Sequence, residues 1–350
     1  MIRKNTSLLI VTILLIALFC TGCGSGQSRE NIELGMAAVE ALDYNMALEH
    51  FEKAVVNNEE PELLYRGQGL AYMGLSQYAD AVVAFEKALT YSKMYVTNLD
   101  YDVNYYLATA YYKNGEFDKA IKVYDAILNL QKKDIMSYYL RGIAKLESND
   151  FDGAVTDFDT AVSLNPTDYS MIIDVHCALA AHGYKEKGIE YLQAALDLQD
   201  KSLTDYDKGR IAYYMEDYEN ARNLLEQAKD NDDPDTILML GRTYEALGDY
   251  NYAASVYTNY LAKDETHPEI CNQLGLCKLK VEDYNAALLA FQSGLAIEDN
   301  PLKQKLQFNE IVAYEYMGEF KKAAVLMETY LKLYPDDTTA KREYEFLKTR

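Results

Sequence analysis

The stretch "GIAKLESNDFDGAVTDFDTAV" at residues 142–162 carries a pattern that returns throughout the chain. A small residue is followed twelve positions later by Ala, then four later by an aromatic residue and three later by Ala or Gly. Residues 35–55, 69–89 and 275–295 carry nearly the same pattern. Its second position recurs every 32 to 39 residues, at Ala47, Ala81, Ala120, Ala154, Gly188, Ala221, Ala253, Ala287 and Ala323. This regularity indicates a repeat architecture.

Each copy is predicted to form two helices joined by a turn. Apolar residues at helical spacing surround the small residue of the first helix, and a turn such as "NGEF" (114–117) or "GDY" (248–250) follows. The second helix places Ala154, Phe158 and Ala161, or their counterparts, on one stripe. Small residues let two helices approach closely, and the aromatic ring fills the wedge between them. One such hairpin leaves an apolar face uncovered, so we expect the repeats to stack.

The pattern resembles the tetratricopeptide repeat (TPR) family, most clearly in "YYLRGIAKLESNDFDGAVTDFDTAVSLNP" at residues 138–166. The residues that carry the resemblance there are Gly142, Phe151, Ala154, Phe158, Ala161 and Pro166. The resemblance implies an all-α fold, a right-handed superhelical solenoid of about nine helix-turn-helix repeats over residues 29–335. Residues 336–350 follow as a predicted amphipathic capping helix.

Some repeats depart from the family pattern. The chain has no Trp, which the first helix of such repeats usually carries. In the fifth repeat His176 replaces the small residue and Gly188 replaces Ala, and in the ninth repeat Ile311 stands where Gly is expected. We expect these two repeats to be the least regular. About five extra residues within 91–100 separate repeats two and three. We interpret them as a longer helix or loop, and a functional insertion on one face is the alternative.

The N-terminus carries the pattern of a processing signal. Arg3 and Lys4 precede the apolar run "LLIVTILLIALF" at residues 8–19, which is shorter than the ~20 residues of a membrane-spanning helix. The "CTGC" that follows resembles the lipobox of bacterial lipoproteins, with Thr21 and Gly22 before Cys23. The resemblance implies a signal peptide at residues 1–22, a lipidated (palmitate-bearing) Cys23 and a linker at residues 23–28.

Two alternatives to the lipobox interpretation remain. Cys20 departs from the lipobox, which usually has an aliphatic residue there, and with Cys23 it forms a Cys-x-x-Cys spacing. A redox or metal-binding dithiol would have that spacing, but no second pair and no nearby His accompany it. An uncleaved membrane anchor is the other alternative. Cys177, Cys271 and Cys277 are interpreted as buried small hydrophobic residues.

The composition argues against several classes of function. The 34 Lys and Arg face 55 Asp and Glu, and residues 1–22 hold two of those cations and no acid, so the chain from Cys23 on has a net charge of −23. Such a chain is repelled by nucleic-acid phosphates and by anionic lipid headgroups, and we expect no nucleic-acid partner. No phosphate loop, nucleophile elbow or zinc motif is present. Asp100, Asp102 and Asn104 copy only the start of a calcium loop. We therefore expect neither an enzyme nor a cofactor or metal site.

Binding is expected on the concave groove that the first helices of such repeats line. Residues on the stripe beside the core are the candidates: Arg66, Tyr105, Tyr112, Tyr139, Tyr206, Arg210, Tyr213, Tyr214, Arg242 and Asn272. Tyr offers large contact area at low entropy cost, and Arg pairs with carboxylates. One hypothesis is a groove for an extended peptide with carboxylate or aromatic features. The other is that these side chains only cover the seams between helices and neutralise acidic neighbours.

These expectations give three hypotheses for function. The first is a lipid-anchored TPR scaffold that binds a protein or peptide partner on the extracytoplasmic side of the cell membrane. The second is a structural subunit of a larger envelope assembly, in which convex faces and ends matter more than the groove. The third is a carbohydrate-binding lipoprotein, because Tyr-rich surfaces also stack on sugars.

Overall fold

The computed structural model describes residues 29–198, 200–229, 233–298 and 300–350. The predicted signal peptide and Cys23 lie outside these residues. The described part of the chain contains nineteen helices and no strand, and it forms two compact units, which divide between Lys132 and Lys133. The all-α prediction is confirmed.

The helices of unit 1 form three antiparallel hairpins. They are α1 (Glu30–Glu40), α2 (Tyr44–Val56), α3 (Pro61–Gly74), α4 (Tyr78–Leu89), α5 (Asn98–Lys113) and α6 (Phe117–Leu130).

Unit 2 contains six further hairpins and a final single helix. Its helices are α7 (Ile135–Glu147), α8 (Phe151–Leu164), α9 (Tyr169–Ala181), α10 (Lys185–Asp197), α11 (Asp205–Tyr214), α12 (Tyr218–Ala228), α13 (Pro234–Ala246), α14 (Tyr250–Leu261), α15 (Pro268–Lys280), α16 (Tyr284–Leu295), α17 (Lys303–Tyr316), α18 (Phe320–Leu333) and α19 (Thr338–Leu347).

The turn inside each hairpin has a recurring chemistry. Gly248, at φ 82°, ends α13 in the left-handed region that glycine adopts without steric cost. The next residue, Asp249, is the N-cap of α14 and accepts a hydrogen bond from the Tyr252 amide at 3.0 Å. Asn149 and Asp150 repeat this arrangement before α8. The Gly-Asp or Asn-Asp pair therefore ends one helix and begins the next.

In most hairpins an aromatic residue of the second helix packs onto the small residue of the first. Phe158 is fully buried, and a Cβ added to Gly142 would lie 2.5 Å from its Cε1 atom. The same test at Gly275 gives 2.2 Å to Phe291 Cε1. Real Cβ contacts are not that close, so the ring occupies the space that a side chain would need. The interpretation of the small residue and the wedge-filling aromatic is confirmed.

The fifth and ninth repeats are regular hairpins, so the expectation of irregularity is wrong. In the fifth repeat the large side chain is on the first helix and the small residue is on the second. His176 of α9 is buried, and a Cβ added to Gly188 of α10 would lie 2.7 Å from His176 Nδ1. In the ninth repeat Ile311 is buried, and the flexible Met327 replaces the aromatic ring. Each departure from the family pattern is compensated on the facing helix.

Tyrosine hydroxyls link neighbouring helices through carboxylates. Tyr244 Oη of α13 donates to Glu226 Oε1 of α12 at 2.8 Å, and Tyr191 Oη of α10 donates to Asp159 Oδ1 of α8 at 2.6 Å. Burial, followed by the neighbouring carboxylate, raises the pKa of both phenols. These bonds explain part of the high Tyr content. The ring fills the space between neighbouring helices, and the hydroxyl donates a hydrogen bond to a carboxylate at the same place.

The segment between α4 and α5 is a loop, and the residues resembling a calcium loop have structural roles. The Thr97 amide donates to Asp100 Oδ2 at 2.6 Å and the Asp100 amide to Thr97 Oγ1 at 3.3 Å, which forms a capping box at the start of α5. Asp102 pairs with Arg66, and Asn104 Nδ2 donates to the Asp100 carbonyl at 2.7 Å.

The cysteines of α15 behave as small hydrophobic residues. Cys271 and Cys277 are buried, and burial raises the pKa of Cys271 to about 11 and also raises that of Cys277. The interpretation is confirmed for these two residues, whereas Cys177 of α9 is only half-buried, so the expectation that it is buried is wrong.

Glu315 of α17 gives unit 2 a pH-dependent stability. Its Oε1 atom is buried without a hydrogen-bond partner in the described part of the chain. Burial and the Glu343 carboxylate of α19 raise its pKa from 4.5 to about 7. The favourable contribution of the neutral carboxyl is therefore complete below about pH 4.5 and lost as the pH rises through about 7.

Replacing Glu315 by Gln is expected to stabilise the protein by about 1–3 kcal/mol at about pH 8, because the neutral amide removes the cost of ionisation. The difference should shrink at about pH 5, where Glu315 is already protonated. Urea unfolding at both pH values measures it, with the exposed Glu328→Gln in α18 as the control. A stabilisation that is independent of pH would contradict the assignment.

Candidate functional site

Unit 2 contains an open concave cavity with a volume of about 770 Å³, which we call the unit 2 groove. Helices α11, α13, α15 and α17 line it, together with the turns and first residues of α14 and α16. The side chains that define it are Tyr213, Arg242, Glu245, Tyr250, Gln273, Leu276, Leu279, Lys280, Glu282, Tyr284, Val312 and Tyr316.

The repeat pattern itself directs these side chains into the groove. Arg242, Leu276 and Val312 each follow the small-residue position of their first helix, at residues 241, 275 and 311. The small residue faces the ring or side chain of the second helix, and the next residue is turned by about 100° around the axis. Lys280 and Tyr316 lie about one turn further along the same face.

The groove presents two exposed cations, Arg242 and Lys280, and two acidic side chains, Glu245 and Glu282. Arg242 and Lys280 are exposed, and neither forms an ion pair within residues 233–298 or the other described ranges. The groove's Glu245 is occupied from within the fold: its Oε1 atom accepts from Tyr257 Oη at 2.7 Å and from Gln273 Nε2 at 3.4 Å. Neither Glu245 nor Glu282 lies within ion-pair distance of the two cations.

Aromatic rings form the rest of the groove wall. Tyr284 and Tyr316 stack with their centroids 5.4 Å apart and their planes at 15°, and Tyr316 is 60% exposed. Tyr213 contacts Tyr214 and Tyr218 edge-on at 5.4 and 5.5 Å, and burial raises its pKa. Together with Leu276 and Val312, these rings give an apolar surface beside the cations.

The candidates from unit 1 are engaged within the unit. Arg66 forms an ion pair with Asp102, and its guanidinium lies 5.8 Å from the ring of Tyr106. Tyr105 is half-buried in α5, and Tyr112 packs on Phe117 with centroids 5.6 Å apart. These contacts agree with the hypothesis that such side chains cover seams between helices.

Most of the other candidates in unit 2 also have internal partners. Tyr139 packs on Phe158 at 6.1 Å between centroids. Arg210 lies 5.3 Å from the Tyr206 ring, and its Nη1 donates to Ser170 Oγ at 3.2 Å. Tyr206 is partly buried against the core, and burial raises its pKa to about 12.

Tyr214 and Asn272 also lie away from the lining of the groove. Tyr214 packs against the core and meets His176 edge-on at 6.1 Å. Asn272 is 2% exposed, and its Oδ1 accepts from Asn309 Nδ2 at 2.7 Å. Of the ten candidates, the structure brings Tyr213 and Arg242 together in the unit 2 groove.

Sequence reasoning missed several residues of the groove: Leu276, Lys280, Tyr284, Val312 and Tyr316. The sequence contained the information needed to find them. Leu276 and Val312 lie one residue after the small-residue position, as Arg242 does, and Lys280 and Tyr316 lie five residues after it, as Tyr214 does. Tyr284 is the first residue of a second helix. Among the residues that the structure describes, no group of three His, Cys, Asp or Glu side chains could hold a metal ion.

Comparisons with known proteins agree with this architecture. Tetratricopeptide repeat family models match residues 32–90, 66–134, 137–168 and 236–269. The TPR repeat-containing protein MJ1428 of Methanocaldococcus jannaschii is 22% identical over 247 residues, which are 67% of this chain and 42% of that protein. The BBSome complex member BBS4 of Bos taurus is 22% identical over 253 residues, 66% of this chain and 48% of that protein. The chain thus spans less than half the length of either relative.

Among solved structures, the yeast Tom70 is similar in fold. The match covers 91% of this chain and 80% of that chain at 17% identity, with a TM-score of 0.50. The family matches, this likeness of fold and the nine hairpins seen in the described residues agree with one another. The chain therefore contains tetratricopeptide repeats, arranged as helical hairpins in the all-α fold of such proteins.

Proposed function

We propose that the protein is a non-catalytic, membrane-tethered scaffold that binds an extended peptide or protein segment in the unit 2 groove. The observation that carries the proposal is the pair of exposed cations, Arg242 and Lys280, in a chain of net charge −21. In so acidic a molecule, two cations left unpaired beside exposed aromatic and apolar side chains favour a ligand that brings its own carboxylates.

The ligand that fits this surface combines acidic and apolar groups. Arg242 offers a planar fork of donors to a carboxylate, and Lys280 adds a mobile point charge. Leu276, Val312 and the exposed face of Tyr316 would take up an apolar or aromatic side chain from the same segment. An extended chain places such groups on alternate sides at regular spacing, which suits a groove lined by successive first helices.

The location of the scaffold rests on the N-terminal pattern. The apolar run at residues 8–19 and the lipobox-like "TGC" at residues 21–23 support export and lipid attachment at Cys23. No helix within the described residues is long and apolar enough to cross a membrane. We propose that the lipid holds the protein on the extracytoplasmic side of the cell membrane.

A randomised peptide library displayed on phage tests the groove. We expect the wild-type protein to enrich sequences that contain Asp or Glu beside aromatic residues. The Arg242→Ala/Lys280→Ala variant should bind the enriched peptides at least about tenfold more weakly, because each charged hydrogen bond contributes about 1.5–3 kcal/mol. Fluorescence anisotropy of a labelled peptide measures the affinity, which should also fall with rising salt.

The matched control is Arg222→Ala/Lys278→Ala, which removes an Arg and a Lys that are paired with Glu219 and Asp283 outside the groove. This variant should retain wild-type affinity. Equal enrichment by the wild type and the Arg242/Lys280 variant would refute the groove. The exposed, stacked Tyr316 also favours testing glycans, and displacement of the peptide by isolated cell-wall glycan would support the carbohydrate hypothesis instead.

A further inference from the structure

Apolar side chains project from one edge of unit 1. Val56 at the end of α2 is 79% exposed, and Leu130 at the end of α6 is 60% exposed. In the loop between α4 and α5, Met94 is fully exposed, Tyr95 is 65% exposed and Val96 is 55% exposed. Three consecutive exposed apolar residues at the tip of a loop are unusual, because a soluble protein gains nothing from displaying them to water.

These side chains lie on the edge where consecutive hairpins join, which we call the junction edge: residues 29–32, 56–62, 90–100 and 130. The side chain of Glu59 accepts from the amides of Asn31 and Ile32 at 3.2 and 3.0 Å, so the start of α1 lies beside the α2–α3 junction. Tyr65 and Tyr91 stack at 5.8 Å, which places the start of α3 beside the α4–α5 loop.

The end of α6 completes this edge. Leu130 borders the same recess as Met94 and Val96, and that recess measures only about 190 Å³. Small-molecule sites are typically ~300–1,000 Å³, so the recess is too small for a typical ligand. The feature is therefore a protruding apolar surface and not a pocket.

The chain enters unit 1 at this same edge. Arg29 precedes α1 and forms an ion pair with Glu60 at 2.5 Å. Only residues 24–28 separate Arg29 from Cys23, and five extended residues reach at most ~18 Å. A lipid on Cys23 would hold the junction edge, and not the opposite edge of unit 1, next to the bilayer.

The junction edge carries two cations, Arg29 and Lys93, and five acidic side chains, so it suits a zwitterionic lipid surface and not an anionic one. Of these five acids, Glu59 accepts from the start of α1, Glu60 pairs with Arg29 and Asp100 accepts within the Thr97 capping box. The other two are Glu30 and the buried Glu62, which lies within electrostatic range of Lys93. Lys93 is exposed, and its Nζ lies 6.0 Å from the Tyr95 ring centroid. A cation and a Tyr beside apolar residues match the composition of the membrane–water interface.

We propose that the junction edge of unit 1 lies in the headgroup region of the bilayer, with Met94, Tyr95 and Val96 inserted and Lys93 at the level of the lipid phosphates. The inference rests on the proposed lipid tether and goes beyond it, because it fixes which edge of unit 1 contacts the membrane. The tether supplies a high local concentration of lipid, so a small apolar contact is sufficient to hold the edge down.

The absence of Trp from the chain permits a direct test. A chain beginning at Gly24 retains every described helix, and a polyhistidine tag at its N-terminus attaches it to phosphatidylcholine vesicles that contain a nickel-chelating lipid. With Met94→Trp as the only Trp, we expect the emission to shift to shorter wavelength on attachment and to be quenched by brominated phosphatidylcholine. Adding Tyr95→Asp and Val96→Asp should abolish both effects.

The matched control is Met46→Trp, which replaces a residue of the same type that is 47% exposed in the first turn of α2, on the opposite edge. Its emission should not change. If the emission of Met94→Trp stays at the wavelength of a water-exposed ring after the protein is attached to vesicles, the inference is overturned. An emission shift that appears without vesicles and grows with protein concentration would also overturn it, because it would show that the junction edge contacts a second copy of the chain. Because the tag replaces the lipid, the result is independent of whether Cys23 is modified.

Discussion

Replacing Phe158 by Ala is expected to lower the free energy of unfolding of unit 2 by about 3–5 kcal/mol. The ring is fully buried in the cluster that includes Ile172 and Leu179, and it lies over Gly142. Because Gly142 has no side chain, the position directly facing the ring offers no atoms to fill the cavity. Urea unfolding followed by far-UV circular dichroism measures the loss.

The control is Phe346→Ala in α19, which makes the same change at a ring that is 40% exposed. It should cost clearly less, since the penalty scales with the apolar area returned to water and with the cavity left behind. A separate early transition in the Phe158→Ala protein would be consistent with local melting of one repeat, as expected where stability is a sum over neighbours. Equal losses in the two variants would contradict the packing argument.

Replacing Cys23 by Ala is expected to abolish lipid attachment completely, because no other thiol occupies the position after Thr21 and Gly22. The variant should also retain residues 1–22. Metabolic labelling with palmitate measures the attachment, and mass spectrometry of the N-terminus measures the processing.

Cys20→Leu is the informative control, because it removes the other thiol of the pair and restores the aliphatic residue that the lipobox usually has. Labelling and processing should be unchanged or improved. If Cys20→Leu instead abolished activity in the cell while Cys23→Ala remained lipid-labelled, the dithiol alternative would replace the lipoprotein proposal.

The fold was predictable because its determinants lie close together in the chain. Gly142, Ala154 and Phe158 lie within one hairpin, and their spacing alone implies two helices that meet at a small residue. The compensation between His176 and Gly188 was less visible, since each looked like a separate defect until their contact was seen.

The site was only partly predictable, for a different physical reason. Arg66 and Asn272 have the right residue type on the expected face, but partners from the next first helix, Asp102 and Asn309, engage them. Such pairings depend on how neighbouring repeats stack. Conversely, Lys280 and Tyr316 line the groove because of their register in the repeat. Register applied to every repeat would have found them.

The order of the helices has a consequence for how the chain reaches its folded state. Within each unit, a helix packs chiefly on helices one or two places away in the sequence. Structures dominated by such local contacts fold fast, because little loop-closure entropy has to be overcome before the contacts form. A hairpin therefore forms its main contacts with its immediate neighbours, and these contacts do not require the C-terminus. Unit 1 can begin folding while later repeats are still being synthesised.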